Sequence, residues 1–213
     1  MDRPIRRWAL VPGLLVGAAL LIAARAGQAA EGDGRDQRTV GAMRHLTGFK
    51  FENKPENLRS LFGEIRAAIA RNDRRRASVL GYSLIPNESR IKAGLREDRA
   101  GGLASRIMAL QQSQLPARLE EIYIIFAAEP ALKEIRVHSA TTEEIARSAE
   151  GPVASKDFPG AVRKIAERHL RPGVTFNVVE LAGTRPEDSI RYHLIYWDGS
   201  QWSMLGPIWN GID

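Results

Sequence analysis

His45, His138, His169 and His193 are the side chains of this chain best suited to moving a proton or ligating a metal near neutral pH. None lies in an H-E-x-x-H motif and no two are four residues apart, so a helix-borne zinc site is excluded. His138 closes the alternating run Glu134-Ile135-Arg136-Val137-His138, His193 lies within Ile190–Trp197, and Glu180 falls on a third strand-like run between them. A sheet joining these runs would seat a histidine against a carboxylate, the makings of a general base or part of a metal site. The simpler reading packs His193 beside Trp202 and Met204 and leaves His138 bonded at a strand end. Because spacing alone supplies no cleft, packing takes precedence and His138, His193 and Glu180 stand only as catalytic candidates. No metal and no cofactor is expected.

Other chemistries are absent by motif. Gly81-Tyr82-Ser83-Leu84-Ile85 lacks the second glycine of a nucleophile elbow, and no phosphate loop, dinucleotide fingerprint or calcium loop occurs. Zero cysteine removes disulfides, thiolate zinc, iron–sulfur clusters and thiol nucleophiles. Trp197, Trp202 and Trp209 crowd the C-terminus with Tyr192 and Tyr196. With Tyr123 on an apolar run upstream, Tyr192, Tyr196, Trp197 and Trp202 are ligand-binding candidates, though such residues also build cores. Arg71, Arg74, Arg75 and Arg76, with Arg90, Lys92, Arg96 and Arg99 nearby, form a candidate patch for an anionic partner. Interleaved Asp73, Glu88, Glu97 and Asp98 make a solvated helix face the simpler account, and without interleaved aromatics nucleic acid is not expected.

The elements that must position these residues form a helical half followed by strands. Leu58, Leu61, Phe62, Ile65 and Ile69 fall on one helical face, with Asn53 as a cap and Pro55 in the first turn. Asn72-Asp73 ends that helix and caps a second; a third follows Pro86-Asn87, and a fourth runs from Gly101-Gly102 to near Pro116. Ile122–Phe126 reads as a buried strand because it is β-branched and aromatic. After Glu134–His138, Thr141 and Glu144 are spaced as a capping box opening a short helix, and another runs from Pro159-Gly160 to Leu170. Val174–Leu181 is strand-like. Asp198-Gly199 then signals a hairpin between Ile190–Trp197 and Ser200–Ile208. A two-residue turn predicts Ile195 opposite Trp202, Leu194 opposite Ser203 and His193 opposite Met204, with His193 on the face of Ile195 and Trp197 and Tyr192 on that of Leu194 and Tyr196. Both faces are apolar, so both should be covered. The expected fold class is α+β: a helical N-terminal half followed by a mostly antiparallel sheet with two inserted helices.

Length and charge bound the rest. The chain has 213 residues, 44% hydrophobic and 26% charged, which excludes wholesale disorder. Arg3, Arg6 and Arg7, the apolar run Ala9–Ala24 and Gly27-Gln28-Ala29 form the three parts of a secretory signal. The run is too short for a spanning helix and carries Pro12, so residues 1–29 are expected to be removed, leaving no stable membrane span. Residues 30–52 read as a tether, with the patch Met43, Leu46, Phe49 and Phe51 docking at its end, and 53–213 as one α+β domain. Removing residues 1–29 takes away four Arg and one Asp, so the net charge falls from +6 to +3. That halving weakens any nucleic-acid argument.

The segment RYHLIYWDGSQWSMLGPIW, with the VHSATTEE, FPGAV and LRPGVTF stretches, resembles a family of uncharacterised exported bacterial proteins across residues 134–209. Helices followed by an antiparallel sheet are also similar to the NTF2-like fold, although two helices here fall between strands. That resemblance implies export to the periplasm or beyond and no particular activity. Together these readings predict an exported cell-envelope module that binds a small ligand or protein partner without catalysis. The alternative is a hydrolase- or lyase-type enzyme using His138 or His193 with Glu180.

Overall fold

The computed structural model describes residues 48–128, 134–147, 157–183, 189–206 and 208. Four helices come first: α1 (Pro55–Ala70), α2 (Arg74–Ser83), α3 (Glu88–Ala93) and α4 (Glu97–Ala128). Strand β1 (Glu134–Thr141) is followed by α5 (Thr142–Ala146) and α6 (Gly160–Arg168), then β2 (Thr175–Ala182), β3 (Ile190–Trp197) and β4 (Trp202–Met204). The strands form one antiparallel sheet in the order β1-β2-β3-β4, so the architecture is α+β with helices ahead of the sheet.

Local sequence accounts for most boundaries. Asp73 caps α2 by accepting from Arg76 N at 3.0 Å, and Asn87 caps α3 through Arg90 N at 2.9 Å. The Thr141–Glu144 capping box is complete, with both reciprocal bonds formed. At α1 the N-cap is Lys54 rather than Asn53, and no side chain bonds there; Pro55 makes one missing donor harmless. The expected strand 122–126 is instead part of α4, which continues through Pro116 to Ala128. The cause is an ambiguous pattern: Leu115, Leu119, Ile122 and Phe126 also recur at helical spacing, and a short apolar run cannot by itself choose between the two periods.

The sheet is covered on both sides, as its two apolar faces require. Phe176, Val178, Leu194, Tyr196 and Leu205 pack with residues of α3, α4, α5 and α6, including Ile91, Ile107, Ile145 and Val162. On the opposite face Val179, Leu181, Ile195, Trp202 and Met204 pack with α1 and α2 through Leu58, Phe62, Ile65 and Leu80. Phe49 and Phe51, edge to face at 5.1 Å, are buried in this second layer, and Met43 and Leu46 of the same expected patch fall outside the described residues.

Two irregularities set the faces. The hairpin pairs Ile195 with Met204, Tyr196 with Ser203 and Trp197 with Trp202, so its loop holds four residues, 198–201, rather than two. In β3, Asn177 pairs with Ile195 but Val179 pairs with Tyr192, so His193 and Leu194 share the place opposite Val178. This β-bulge holds Leu194 at φ +56°, a left-handed conformation that is costly for a bulky residue. It also breaks strict alternation. Tyr192 therefore joins the layer of Ile195 and Trp197 and parts from Leu194 and Tyr196, contrary to the expectation from parity.

Candidate functional site

Two polar constellations lie on the sheet. The first is a half-buried chain of charges across three strands. Glu180 on β2 stands opposite Arg136 on β1 and Arg191 on β3, and His138 is two residues along β1 from Arg136. His138 Nε2 lies 3.1 Å from Glu180 Oε2, and Arg191 Nη2 donates to Glu180 Oε1 at 3.2 Å. The other ring nitrogen, Nδ1, lies 3.3 Å from Oδ2 of Asp157, just ahead of α6. Burial alone would raise the Glu180 pKa, but the bonds from His138 and Arg191 outweigh it and hold the carboxyl below its ordinary value. Both ring nitrogens of His138 thus face carboxylates of the protein itself.

His138 and Glu180 therefore meet, and His193 does not join them. Val178 separates the two histidines across the sheet, at about 10 Å by the spacing of strands. Burial, with a smaller contribution from Arg191, lowers the His193 pKa to about 4, so this ring is neutral over the physiological range. Asp157 is the member that sequence reasoning missed. It lies 23 residues before Glu180, just ahead of α6, and no motif or spacing ties it to His138.

The second constellation is closed. Arg90, read from sequence as part of the solvated basic face, is buried and forms an ion pair with Asp198. Its guanidinium also donates to the carbonyls of Ile85 (3.1 Å), Ser83 (3.1 Å) and Trp202 (2.9 Å) and to Ser203 Oγ (2.6 Å). Ser203 Oγ passes its own proton to Asp198 Oδ2 at 2.6 Å. The second Asp198 oxygen accepts from Ser200 N, Ser200 Oγ and Gln201 N at 2.8–3.0 Å, which is why the hairpin needs four loop residues. Burial pushes the Asp198 carboxyl up, but Arg90 and these donors outweigh it and keep its pKa below the ordinary value. Tyr196 completes the knot by donating to the Arg90 carbonyl at 2.6 Å.

The aromatic candidates are embedded in packing. Tyr196 and Trp202 are fully buried; Trp202 stands edge-on to Trp197 at 5.4 Å and donates from Nε1 to Asn57 at 3.1 Å. Tyr192 leans on Phe62 with centroids 5.4 Å apart. Tyr123 lies in α4, and its side chain and His45 fall outside the described residues. Arg71, Arg74 and Arg75 are exposed at the α1–α2 corner, whereas Arg76 is paired with Glu64 at 2.9 Å. Lys92 pairs with Glu88, and Arg96 and Arg99 both lie within 4.0 Å of Asp98, so acidic neighbours offset much of the basic run. His169 ends α6, and its carbonyl accepts from Arg96 N at 2.9 Å. Among the described residues no group of three acidic or histidine side chains could hold a metal, and no helix is long and apolar enough to cross a membrane. No family model, curated protein or solved structure matches this chain.

Proposed function

We infer that the chain is an exported cell-envelope module that acts by binding a small ligand or a protein partner rather than by catalysis. The observation that carries the non-catalytic part is the setting of His138, whose Nε2 lies 3.1 Å from Glu180 and whose Nδ1 lies 3.3 Å from Asp157. A general base must turn a ring nitrogen to its substrate, and both nitrogens here are turned to the protein's own carboxylates. Export rests on the three-part N-terminal signal and on the resemblance of residues 134–209 to exported bacterial proteins.

The test is native mass spectrometry of protein purified gently from the envelope fraction, alongside the His138→Ala/His193→Ala double variant. A discrete adduct or partner mass, lost on denaturation and retained by the variant, supports binding. An adduct that wild-type protein converts to a new mass on standing, and the variant does not, overturns this reading in favour of the hydrolase- or lyase-type alternative. Recovery of the chain with residues 1–29 intact in the cytosol overturns export.

A further inference from the structure

Residues 59–76 carry six arginines against Glu64 and Asp73, a net of +4, while the rest of residues 30–213 sums to −1. The positive charge behind the N-terminal signal is therefore concentrated on α1, α2 and the corner between them. At that corner the acidic groups are already engaged: Glu64 pairs with Arg76 at 2.9 Å, and Asp73 caps α2 by accepting from Arg76 N. Acidic residues further along the basic run pair elsewhere, Glu88 with Lys92, Glu97 with Arg171, and Asp98 with Arg96 and Arg99. Arg71, Arg74 and Arg75 stand exposed. Helix stability does not ask for this pattern. Arg71 suits the C-terminal end of α1, but Arg74, Arg75 and Arg76 fill the first turn of α2, which holds no acidic residue. Cations there oppose the helix dipole. The backbone that presents them is fixed. Asn72, at φ +57°, reverses the chain, and the amides of Arg71, Asn72 and Asp73 bond back to Ala67 O, Ile69 O and Ala68 O at 2.8–3.2 Å. The apolar sides of both helices, including Ala68, Ile69, Ala77 and Leu80, lie in the core, so the corner offers charge without an apolar wedge.

We propose that the α1–α2 corner is a docking surface for an anionic phospholipid bilayer, with Arg71, Arg74 and Arg75 binding headgroup phosphates. A guanidinium matches a phosphate with two parallel N–H donors and stays charged across the physiological pH range. A helical corner is convex, so a flat array of phosphates meets all three side chains at once, which a single small anion does not. No aromatic residue interleaves the arginines, so base stacking gives nucleic acid no advantage here. This surface is separate from whatever small ligand or protein partner the module binds, and it holds the module against a membrane through charge alone.

Vesicle partition of the chain as isolated from the envelope fraction tests the surface, since any retained N-terminal apolar run acts equally on wild type and variant. At low salt, phosphatidylglycerol–phosphatidylcholine vesicles should bind wild type about a hundredfold more tightly than Arg71→Gln/Arg74→Gln/Arg75→Gln, the worth of three arginines at an anionic surface. The gap should close at high salt and be absent on phosphatidylcholine alone. Arg71→Lys/Arg74→Lys/Arg75→Lys, which keeps the charge, should bind nearly as wild type does. Arg74→Gln/Arg75→Gln should be at least as stable as wild type in urea, which separates docking from folding. Equal partition of wild type and the glutamine variant, a preference that survives high salt, or a loss of stability in Arg74→Gln/Arg75→Gln overturns the proposal. So does arginine-dependent binding to soluble polyglutamate without arginine-dependent binding to vesicles, which assigns the corner to an acidic protein.

Discussion

Arg90–Asp198 and His138–Glu180 each join a basic side chain to a carboxylate far away in sequence, and they teach opposite lessons. Around Arg90 every acceptor is a backbone carbonyl, a hydroxyl or a buried carboxylate, and the exposed fractions are 9% and 1%. Around His138 the two partners are Asp157 ahead of α6 and Glu180 on β2, and the ring is 29% exposed. In the first case desolvation is met by a full set of donors and acceptors, so removing either partner leaves an uncompensated buried charge. In the second, water can replace what is lost. The first fixes the fold, and the second can be broken at small cost.

The sharpest way to break the comparison is Arg90→Ala, which strands Asp198 and the Ser83, Ile85 and Trp202 carbonyls. It should cost about 3–5 kcal/mol in urea denaturation; a loss under about 1 kcal/mol would show that the knot is not the stronger site. Its acid dependence has a definite sign. The folded Asp198 pKa lies below its unfolded value, so the stabilisation is present above the unfolded value of about 3.8 and drains as pH falls through the folded one. Arg90→Ala should lose that acid-limb slope. Next in size is Gly94→Ala. A Cβ there would stand 2.9 Å from a ring carbon of Tyr196, which is pinned by its bond to Arg90 O, so a loss of about 1–3 kcal/mol is expected by calorimetry.

On the half-open side effects are smaller. The folded His193 pKa of about 4 lies below the ordinary 6.5, so stability is full above 6.5 and falls as pH drops towards 4. His193→Gln should flatten the denaturation midpoint across that window, and an unchanged slope would assign it to another group. Smallest is Glu180→Gln, expected at about 1 kcal/mol or less in the same assay, because Arg191 and His138 both reach solvent. A cost comparable to that of Arg90→Ala would erase the distinction between the two sites.

What was legible in sequence follows from range. Caps and periodic faces are set within four residues, and Asp73, Asn87 and the Thr141–Glu144 box behave as their types dictate. The strand runs that carry His138 and Glu180 were accessible because strand alternation is also local, although their meeting stood only as a candidate. The hairpin register was not, because Asp198 is held by an arginine 108 residues upstream, and no turn statistic carries that information. The bulge was equally hidden: nothing in His193-Leu194 distinguishes it from ordinary strand, and the partner Val178 decides it. Arg90 looked like its neighbours Lys92 and Arg96, and only the tertiary position of α3 under the hairpin takes it inside.

The separation between Arg90 and its partners has a consequence for the order of assembly. A chain emerging from its N-terminus makes α1 to α3 early, yet the guanidinium of α3 has no counter-ion until Asp198 and Ser203 arrive, 108 and 113 residues later. Met204 N, which bonds Leu84 O at 2.8 Å, arrives later still. The helical half therefore cannot lock while the rest is being made or threaded. Loop closure over such a span makes the last step slow, and truncation ahead of residue 198 leaves the first helices without the part that fastens them.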